Sequence, residues 1–523
     1  MLEKGKQVEL TIESLAPGGE GVSKDFAIPV FVNKAAPGDR LLVEIYDNRR
    51  TFAKGSLVKV VEPSKERVEA QCKLFKVCGG CQWMHLSYEA QLAWKKAIIE
   101  QALRHIGGQE ISNLCNQAIV PTIPSRLQFA YRNKVNLPVR NPHESKRLLA
   151  GYFETNSHKL VNIKHCPIQP LLLDTVLEQI KLLAEKYEIV AYDETLKQRT
   201  VEHSAARSRA PRNVDTRVEA REPKPKQRLI NNGLLRYIQM RFSEAKQNVL
   251  VTLVVNCQPD RLPASLKKLA SELMTQNPAV VGVCANCNQL KGNRILAEET
   301  VDLAGQPYIE EVLRTEKPDF PDILKQGLRF QLSPTSFFQI NTSQAVTLLE
   351  IITSEIIAYL ERNNLTKAKK GTGNEITLLD AYAGVGSIAL WLSPFVDKVL
   401  AVEDNAAAVK DGEHNLELNK IENVQFHQAK VEEFLPGLLK EGTPVSIVVL
   451  DPPRQGLNQI VIEDIIALKP AMIIYVSCNP ATLARDLRLI VTSGGYKVEK
   501  IVPVDLFPQT YHVESVTVLK KTV

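Results

Sequence analysis

From about Gln331 onward the chain alternates short apolar runs with stretches of helical periodicity, and this alternation most narrows what it can fold into. "EITLLDAYAGVGSIALWL", "KVLAVEDNAAAVKDGEHNLELN", "VQFHQA", "VSIVVLDPPRQGL" and "AMIIYVSCNP" follow one another, several of the strand-like runs stopping at an acid or a cysteine. Strands interleaved with helices predict a largely parallel, doubly wound, Rossmann-like sheet over 331–523. In such a sheet ligands gather at the C-terminal ends of the strands. The residues at those ends are therefore the first candidates for function.

Upstream the pattern differs. Residues 1–64 give short alternating stretches split by glycine and proline ("QVELTIESLAPGGEGVS", "IPVFVNKAAPGDRLLVEIYD"), as in a small β-barrel that holds RNA or serves as a structural cap. Residues 65–330 are mixed α+β: Leu86 to Leu103 has helical spacing, and "RYIQMRF", "NVLVTLVVN" and "AVVGVCANCN" are strand-like. Between about 192 and 228 the apolar pattern vanishes into "RSRAPRNVDTRVEAREPKPKQR", an exposed and disordered insertion by composition, or a basic RNA contact. Basic clusters such as "DNRR" and "YRNK", in a chain of net charge +6, fit a polyanionic partner or a solvated surface. No uncharged apolar run approaches the roughly 20 residues that span a bilayer, and "MLEKGKQVEL" lacks a signal-peptide block. The expectation is a cytoplasmic protein with no membrane association and no obligate protein partner.

The strand ending at Asp380 runs into "AYAGVGS" and a helix, so Gly384 and Gly386 let the backbone approach a ligand. Glu403 closes the next strand, about twenty residues on, where a carboxylate accepts hydrogen bonds from ribose. "VVLDPPRQGL" places Asp451 and two prolines beside that pocket, which points to S-adenosyl-L-methionine rather than a dinucleotide. Asp-Pro-Pro is similar to methyltransferases of exocyclic amines, but those follow it with an aromatic residue and this chain has Arg454. In "IIYVSCNPATLARDL" the thiol of Cys478 stands where a strand stops and Asn479-Pro480 begin a helix.

"SPTSFFQIN", "DAYAGVGSIAL", "VLDPPRQGL", "YVSCNPATLARDL" and "FPQTYHVESVTVL", in this order, resemble the RNA uracil-5-methyltransferases of the ribosomal-RNA branch. The likeness implies methylation of uridine C5 in 23S ribosomal RNA. It assigns Cys478 as the nucleophile that adds to uracil C6 and Glu514 as the base that removes the C5 proton. It also implies S-adenosyl-L-methionine contacts from Gln339, Tyr382, Glu403 and Asp451, with Tyr382 packing on the adenosine. Ala383 stands where many members have cysteine. The N-terminal barrel resembles a TRAM domain. Rival expectations are the same chemistry on transfer RNA, amine methylation, and a non-catalytic RNA-binding iron-sulfur protein.

"CKLFKVCGGCQWMH" spaces Cys72, Cys78 and Cys81 as C-x5-C-x2-C, a metal-binding pattern in a chain without a secretion signal. Cys166, just before a proline, is the best fourth ligand. The family implies a [4Fe-4S] cluster; zinc also suits four thiolates. Cys284 and Cys287 ("CANC") are expected to be structural.

Overall fold

The computed structural model describes residues 2–142, 145–193, 233–292, 294–365 and 375–522. Six strands come first: β1 (Gln7–Thr11), β2 (Ser14–Leu15), β3 (Gly21–Ser23), β4 (Val30–Val32), β5 (Arg40–Asn48) and β6 (Ala53–Glu62). They hydrogen-bond in the order β1-β5-β6-β4-β3-β2 around a small core of Leu10, Ile12, Val30, Val32, Leu41, Val43 and Ile45. Alternation along β5 puts Leu41, Val43 and Ile45 inside and leaves Arg40, Glu44 and Tyr46 facing solvent, as period-two patterning requires.

A cysteine-bearing segment leads to α1 (Tyr88–Ile106), whose first turn is capped by Ser87 accepting from the Ala90 N–H, and to α2 (Gly108–Ala118). Next come β7 (Lys134–Arg140), β8 (Leu149–Phe153), β9 (Leu160–Asn162), α3 (Leu171–Lys186), β10 (Leu235–Ser243), β11 (Asn248–Val255), α4 (Ala264–Gln276), β12 (Val280–Cys287) and β13 (Thr300–Gly305). These strands form a seven-stranded sheet, β13-β12-β11-β10-β7-β8-β9, with α3 and α4 packed on its apolar face. The expected insertion at 192–228 lies outside the described residues from 194 onward. Described residues on either side of it are joined, the Tyr192 N–H donating to the Leu235 carbonyl at 2.7 Å.

A hairpin of β14 (Ile309–Leu313) and β15 (Leu328–Leu332), enclosing α5 (Asp322–Gln326), precedes α6 (Thr342–Arg362). Then strands and helices alternate as expected: β16 (Thr377–Ala381), α7 (Ser387–Leu392), β17 (Lys398–Glu403), α8 (Ala406–Asn419), β18 (Val424–Gln428), α9 (Val431–Glu441), β19 (Ile447–Leu450), α10 (Gln459–Leu468), β20 (Met472–Ser477), α11 (Pro480–Gly494), β21 (Tyr496–Val504) and β22 (Glu514–Lys521). The sheet order is β18-β17-β16-β19-β20-β22-β21, parallel except that β22 runs against both of its neighbours. Every residue of β16, β19 and β20 is buried, because helices cover both faces of a doubly wound sheet.

The core of this sheet crosses the domain limit expected at 330/331. Ile309, Leu313, Leu324, Leu328 and Phe330 of the hairpin pack with Leu378, Trp391 and Val449, on one face of the sheet. On the other face Ile99, Leu103 and Ile111 of α1 and α2 pack with Leu483 and Leu487 of α11. Residues 119–123 extend the sheet edge through the parallel bridges Ile119–Ile501 and Ile123–Val504. Residues 88–123 and 309–332 therefore share the core of the C-terminal unit.

Candidate active site

The turn from β16 to α7 builds the cofactor pocket. Gly384 lies at φ +56° with nothing within 4 Å of where a Cβ would stand, so a ligand can reach its backbone. Its N–H donates to Glu403 Oε2 at 2.8 Å, and Glu403 Oε1 accepts from the Asn405 N–H at 2.9 Å. Burial raises the Glu403 carboxyl despite these bonds. Gly386 has a different reason for being glycine: at φ +82°, a Cβ would stand 2.6 Å from Leu390 Cδ1 and 2.7 Å from the Phe426 ring. Close approach to the ligand is thus open at Gly384, while Gly386 lets α7 sit on the sheet. Tyr382, at φ +70°, packs half-buried against the core of the neighbouring face. Gln339, Phe338, Ser387, Ile388 and Asp451 line one cavity at the head of α7. An open glycine, an acid at the end of the next strand and this cavity suit a nucleoside carrying an amino-acid tail.

Cys478 is half-buried at the end of β20, where Asn479 caps α11 by accepting from the Ala481 N–H and Pro480 takes the first helical position. Asn479 Nδ2 also donates to the Arg454 carbonyl at 2.9 Å, tying the loop after Asp451 to the thiol's own loop. In the antiparallel pair β20–β22 Ser477 faces Ser515, so Cys478 and Glu514 occupy the next opposed positions. Glu514 is 3% exposed. Burial, with the Asp451 carboxylate adding, pushes its carboxyl well above the usual range, and Arg454 opposes this. Burial likewise pushes the Cys478 thiol up to about 11, with Glu514 and Asp451 adding and Arg454 opposing. Asp451 itself is raised by burial to about 7. Adjacent strand ends thus gather a thiol, two acids and one cation.

A second pocket opens on Cys478 from outside the sheet. Pro17 of the N-terminal unit, Gln101 and His105 of α1, Arg454, Tyr511 and His512 line it. His512 packs on Tyr511 with ring centroids 4.2 Å apart and the rings tilted by 42°, and burial beside Arg454 holds its imidazole neutral by lowering it to about 4. Three segments distant in sequence thus surround one thiol.

Comparison with known proteins gives the family. Residues 325–522 match the tRNA (Uracil-5-)-methyltransferase family model and residues 2–58 the TRAM domain model. An uncharacterized RNA methyltransferase of Thermosynechococcus vestitus is 35% identical over 517 residues, covering 99% of this chain and 98% of its own. One from Bacillus cereus is 31% identical over 519 residues, with 99% and 98% covered. This chain belongs to the RNA uracil-5-methyltransferase family. Such enzymes draw the methyl group from S-adenosyl-L-methionine. The Pyrococcus abyssi tRNA (uracil-54, C5)-methyltransferase, solved with S-adenosyl-L-homocysteine, shares the fold at TM-score 0.68 and 24% identity, with 98% of this chain and 99% of that one covered.

The family's TRAM unit and methyltransferase sheet are joined here by the cysteine-bearing segment. Cys72, Cys78, Cys81 and Cys166 line a single, largely apolar cavity with Arg132, Tyr152 and Met84. None is in a disulfide. Burial raises Cys78 and Cys81 and pushes Cys166 up to about 12, and neighbouring thiols add to each shift. Among the described residues no three His, Cys, Asp or Glu side chains close tightly enough to hold a single metal ion. The four thiols line one shared space. Cys284 and Cys287 cannot act as a pair: both lie on β12, but Cys284 packs into the core shared with the catalytic sheet and Cys287 into the core under α3 and α4.

Several site residues escape local motif reading. Arg454 stands in the sequence as a departure from the amine methyltransferases; in the fold its charge bears on both Cys478 and Glu514. His512 sits within the quoted "YHVES", yet only the fold turns it toward Cys478. Gln101 and His105 lie on an ordinary amphipathic helix and carry no local signal.

Proposed function

We propose that this methyltransferase makes 5-methyluridine in 23S ribosomal RNA, with Cys478 as nucleophile and Glu514 as general base. The observation that carries the reading is the opposition of Cys478 and Glu514 at the ends of β20 and β22, next to Asp451 and its cavity. Gln339, Tyr382, Gly384, Gly386, Glu403 and Asp451 form the proposed S-adenosyl-L-methionine site, which supplies an electrophilic methyl group on a sulfonium.

Carbon 5 of uracil is a poor nucleophile. Addition of the Cys478 thiolate to C6 forms a C–S bond and moves the electron pair of the C5–C6 double bond toward C5 and O4. C5 then takes the methyl group, and the sulfonium's bonding pair stays with sulfur. The Glu514 carboxylate removes the C5 proton, the C5–C6 double bond reforms, and the thiolate leaves. Arg454 favours both charged forms the sequence requires, the thiolate and the carboxylate. The pocket walls of Tyr511, His512 and α1 accommodate a flipped uridine.

Cys72, Cys78, Cys81 and Cys166 are proposed to hold a [4Fe-4S] cluster. Convergence of four thiols on one cavity supports a metal centre there, and the family resemblance favours a cluster over zinc. Its role is structural, because the methyl transfer moves no net electrons.

Transfer RNA is the second reading. The matching family model and the Pyrococcus abyssi enzyme both name transfer-RNA uracil as the target. Anaerobically purified protein with methyl-labelled S-adenosyl-L-methionine, unmodified 23S ribosomal RNA or transfer RNA, and a Cys478→Ala control decides between them by nucleoside analysis. Label in 5-methyluridine of ribosomal RNA alone is expected. Label confined to transfer RNA overturns the substrate, and label that survives Cys478→Ala overturns the mechanism.

A further inference from the structure

The loop 505–513 between β21 and β22 carries the pocket wall of Tyr511 and His512, yet groups outside the catalytic sheet hold it. Gln509, 3% exposed, stands at its turn with φ +70°, a conformation disfavoured for any residue with a Cβ. All its polar groups are engaged. Its N–H donates to Gln91 Oε1 at 2.9 Å, and its Oε1 accepts from Gln91 Nε2 at 3.1 Å. Its Nε2 donates to the Gln128 carbonyl at 3.4 Å. Its carbonyl accepts from the N–H groups of Gln82, at 3.1 Å, and Trp83, at 3.0 Å.

These partners come from three places: α1, the loop before β7, and the chain leaving Cys81. Trp83 links further, its indole Nε1 donating to the Gly19 carbonyl of the TRAM unit at 3.0 Å. Gly19 in turn lies under Tyr511, where a Cβ would stand 2.7 Å from the ring. Next to Gln509, the Tyr131 hydroxyl donates to the Pro508 carbonyl at 2.9 Å. The wall of the pocket beside Cys478 is thus tied, through one strained residue, to the segment that carries the cysteine cavity.

We propose that Gln509 is a positioning residue for RNA: it latches the Tyr511–His512 wall in the shape that receives the substrate, and passes order from the cysteine segment to that wall. The inference rests on the reading of this pocket as the RNA site. Gln509 does not touch the cofactor cavity, so its loss acts on RNA and spares the methyl donor.

Two variants test the latch in the full-length, anaerobically purified protein. Gln509→Gly keeps the left-handed turn without strain and deletes the side-chain bonds; Gln91→Met deletes the partner at similar volume. Each is expected to raise the KM for RNA about tenfold, with kcat within about threefold and S-adenosyl-L-methionine affinity, read by calorimetry, within about twofold. An unchanged KM for RNA in both variants, with wild-type protein methylating uridine normally, overturns the latch alone. A parallel loss of S-adenosyl-L-methionine affinity also overturns it, since that marks general unfolding. Wild-type protein without methyl transfer overturns the proposed function and the latch with it.

Discussion

Cys478 and Glu514 each stand one position beyond the paired Ser477 and Ser515 of an antiparallel strand pair, close enough that the Glu514 charge raises the thiol. That register brings the proposed nucleophile and the proposed base from separate motifs together, with Asp451 supplying negative charge and Arg454 positive charge. The proposed division of labour can be separated experimentally, because it assigns the two residues to different halves of the reaction.

Glu514→Gln keeps shape and hydrogen bonding but cannot take the C5 proton. Methylated RNA is then expected to stay joined to Cys478, seen as a denaturant-resistant band of protein and RNA. Cys478→Ala forms no such band and lowers turnover by roughly a thousandfold or more. Free release of product by Glu514→Gln at the wild-type rate removes Glu514 from the base role.

The free thiol provides a pH test. With Cys478 raised to about 11 by burial, Glu514 and Asp451, its thiolate fraction falls about tenfold for each unit below that value. Iodoacetamide modification of Cys478 should therefore accelerate about tenfold per pH unit from 7 to 10 in protein free of methyl donor. Arg454→Met removes the one opposing charge and should slow the reaction at pH 8. A plateau below pH 9 contradicts the environment described.

The two glycines of the cofactor turn should fail differently. Gly384→Ala meets open space and only backbone strain of about 1 kcal/mol, so its main effect is weaker S-adenosyl-L-methionine binding. Gly386→Ala drives a methyl into Leu390 and Phe426 and should destabilise the fold by about 1–3 kcal/mol or more. Calorimetric binding and thermal melts of the two variants distinguish these outcomes.

Metal analysis tests the cysteine cavity. Anaerobic protein is expected to carry about four irons and acid-labile sulfide per chain, lost together in Cys166→Ser. One zinc per chain without sulfide replaces the cluster by a tetrahedral site.

Lys95 and Asp505 form a fully buried ion pair at the base of the catalytic loop, with the Tyr88 hydroxyl donating to Asp505 at 2.8 Å. Lys95→Met strands a buried carboxylate and should cost about 3–5 kcal/mol in denaturant unfolding. Lys95→Met combined with Asp505→Leu should recover much of that loss. If the double variant is no better than the single one, the pairing is not what stabilises the loop.

Much of this was legible along the chain because it is local. Period-two and helical spacing mark β16 to β22 as alternating elements, and a strand that ends in Ser477-Cys478 before Asn479-Pro480 must present its thiol at the sheet edge, whatever packs around it. Spacing also brought Cys72, Cys78 and Cys81 together, since glycines between close cysteines permit a tight turn. What depended on contacts distant in sequence was not legible. An amphipathic face shows that α1 is buried but not against what, and α1 packs on α11, far along the chain. The hairpin at 309–332 likewise carries no mark of the sheet it joins. Cys284 and Cys287 look like a pair by spacing, yet residues three apart on a strand point to opposite faces. Gln509 lies within "FPQTYHVESVTVL", yet nothing local marks its role, since Gln82, Trp83, Gln91 and Gln128 converge on it only in the fold. Sequence by itself determined the elements and the chemistry at strand ends, because both follow from neighbours in the chain. Tertiary structure alone decided which distant walls enclose Cys478, because that depends on how buried faces fit one another.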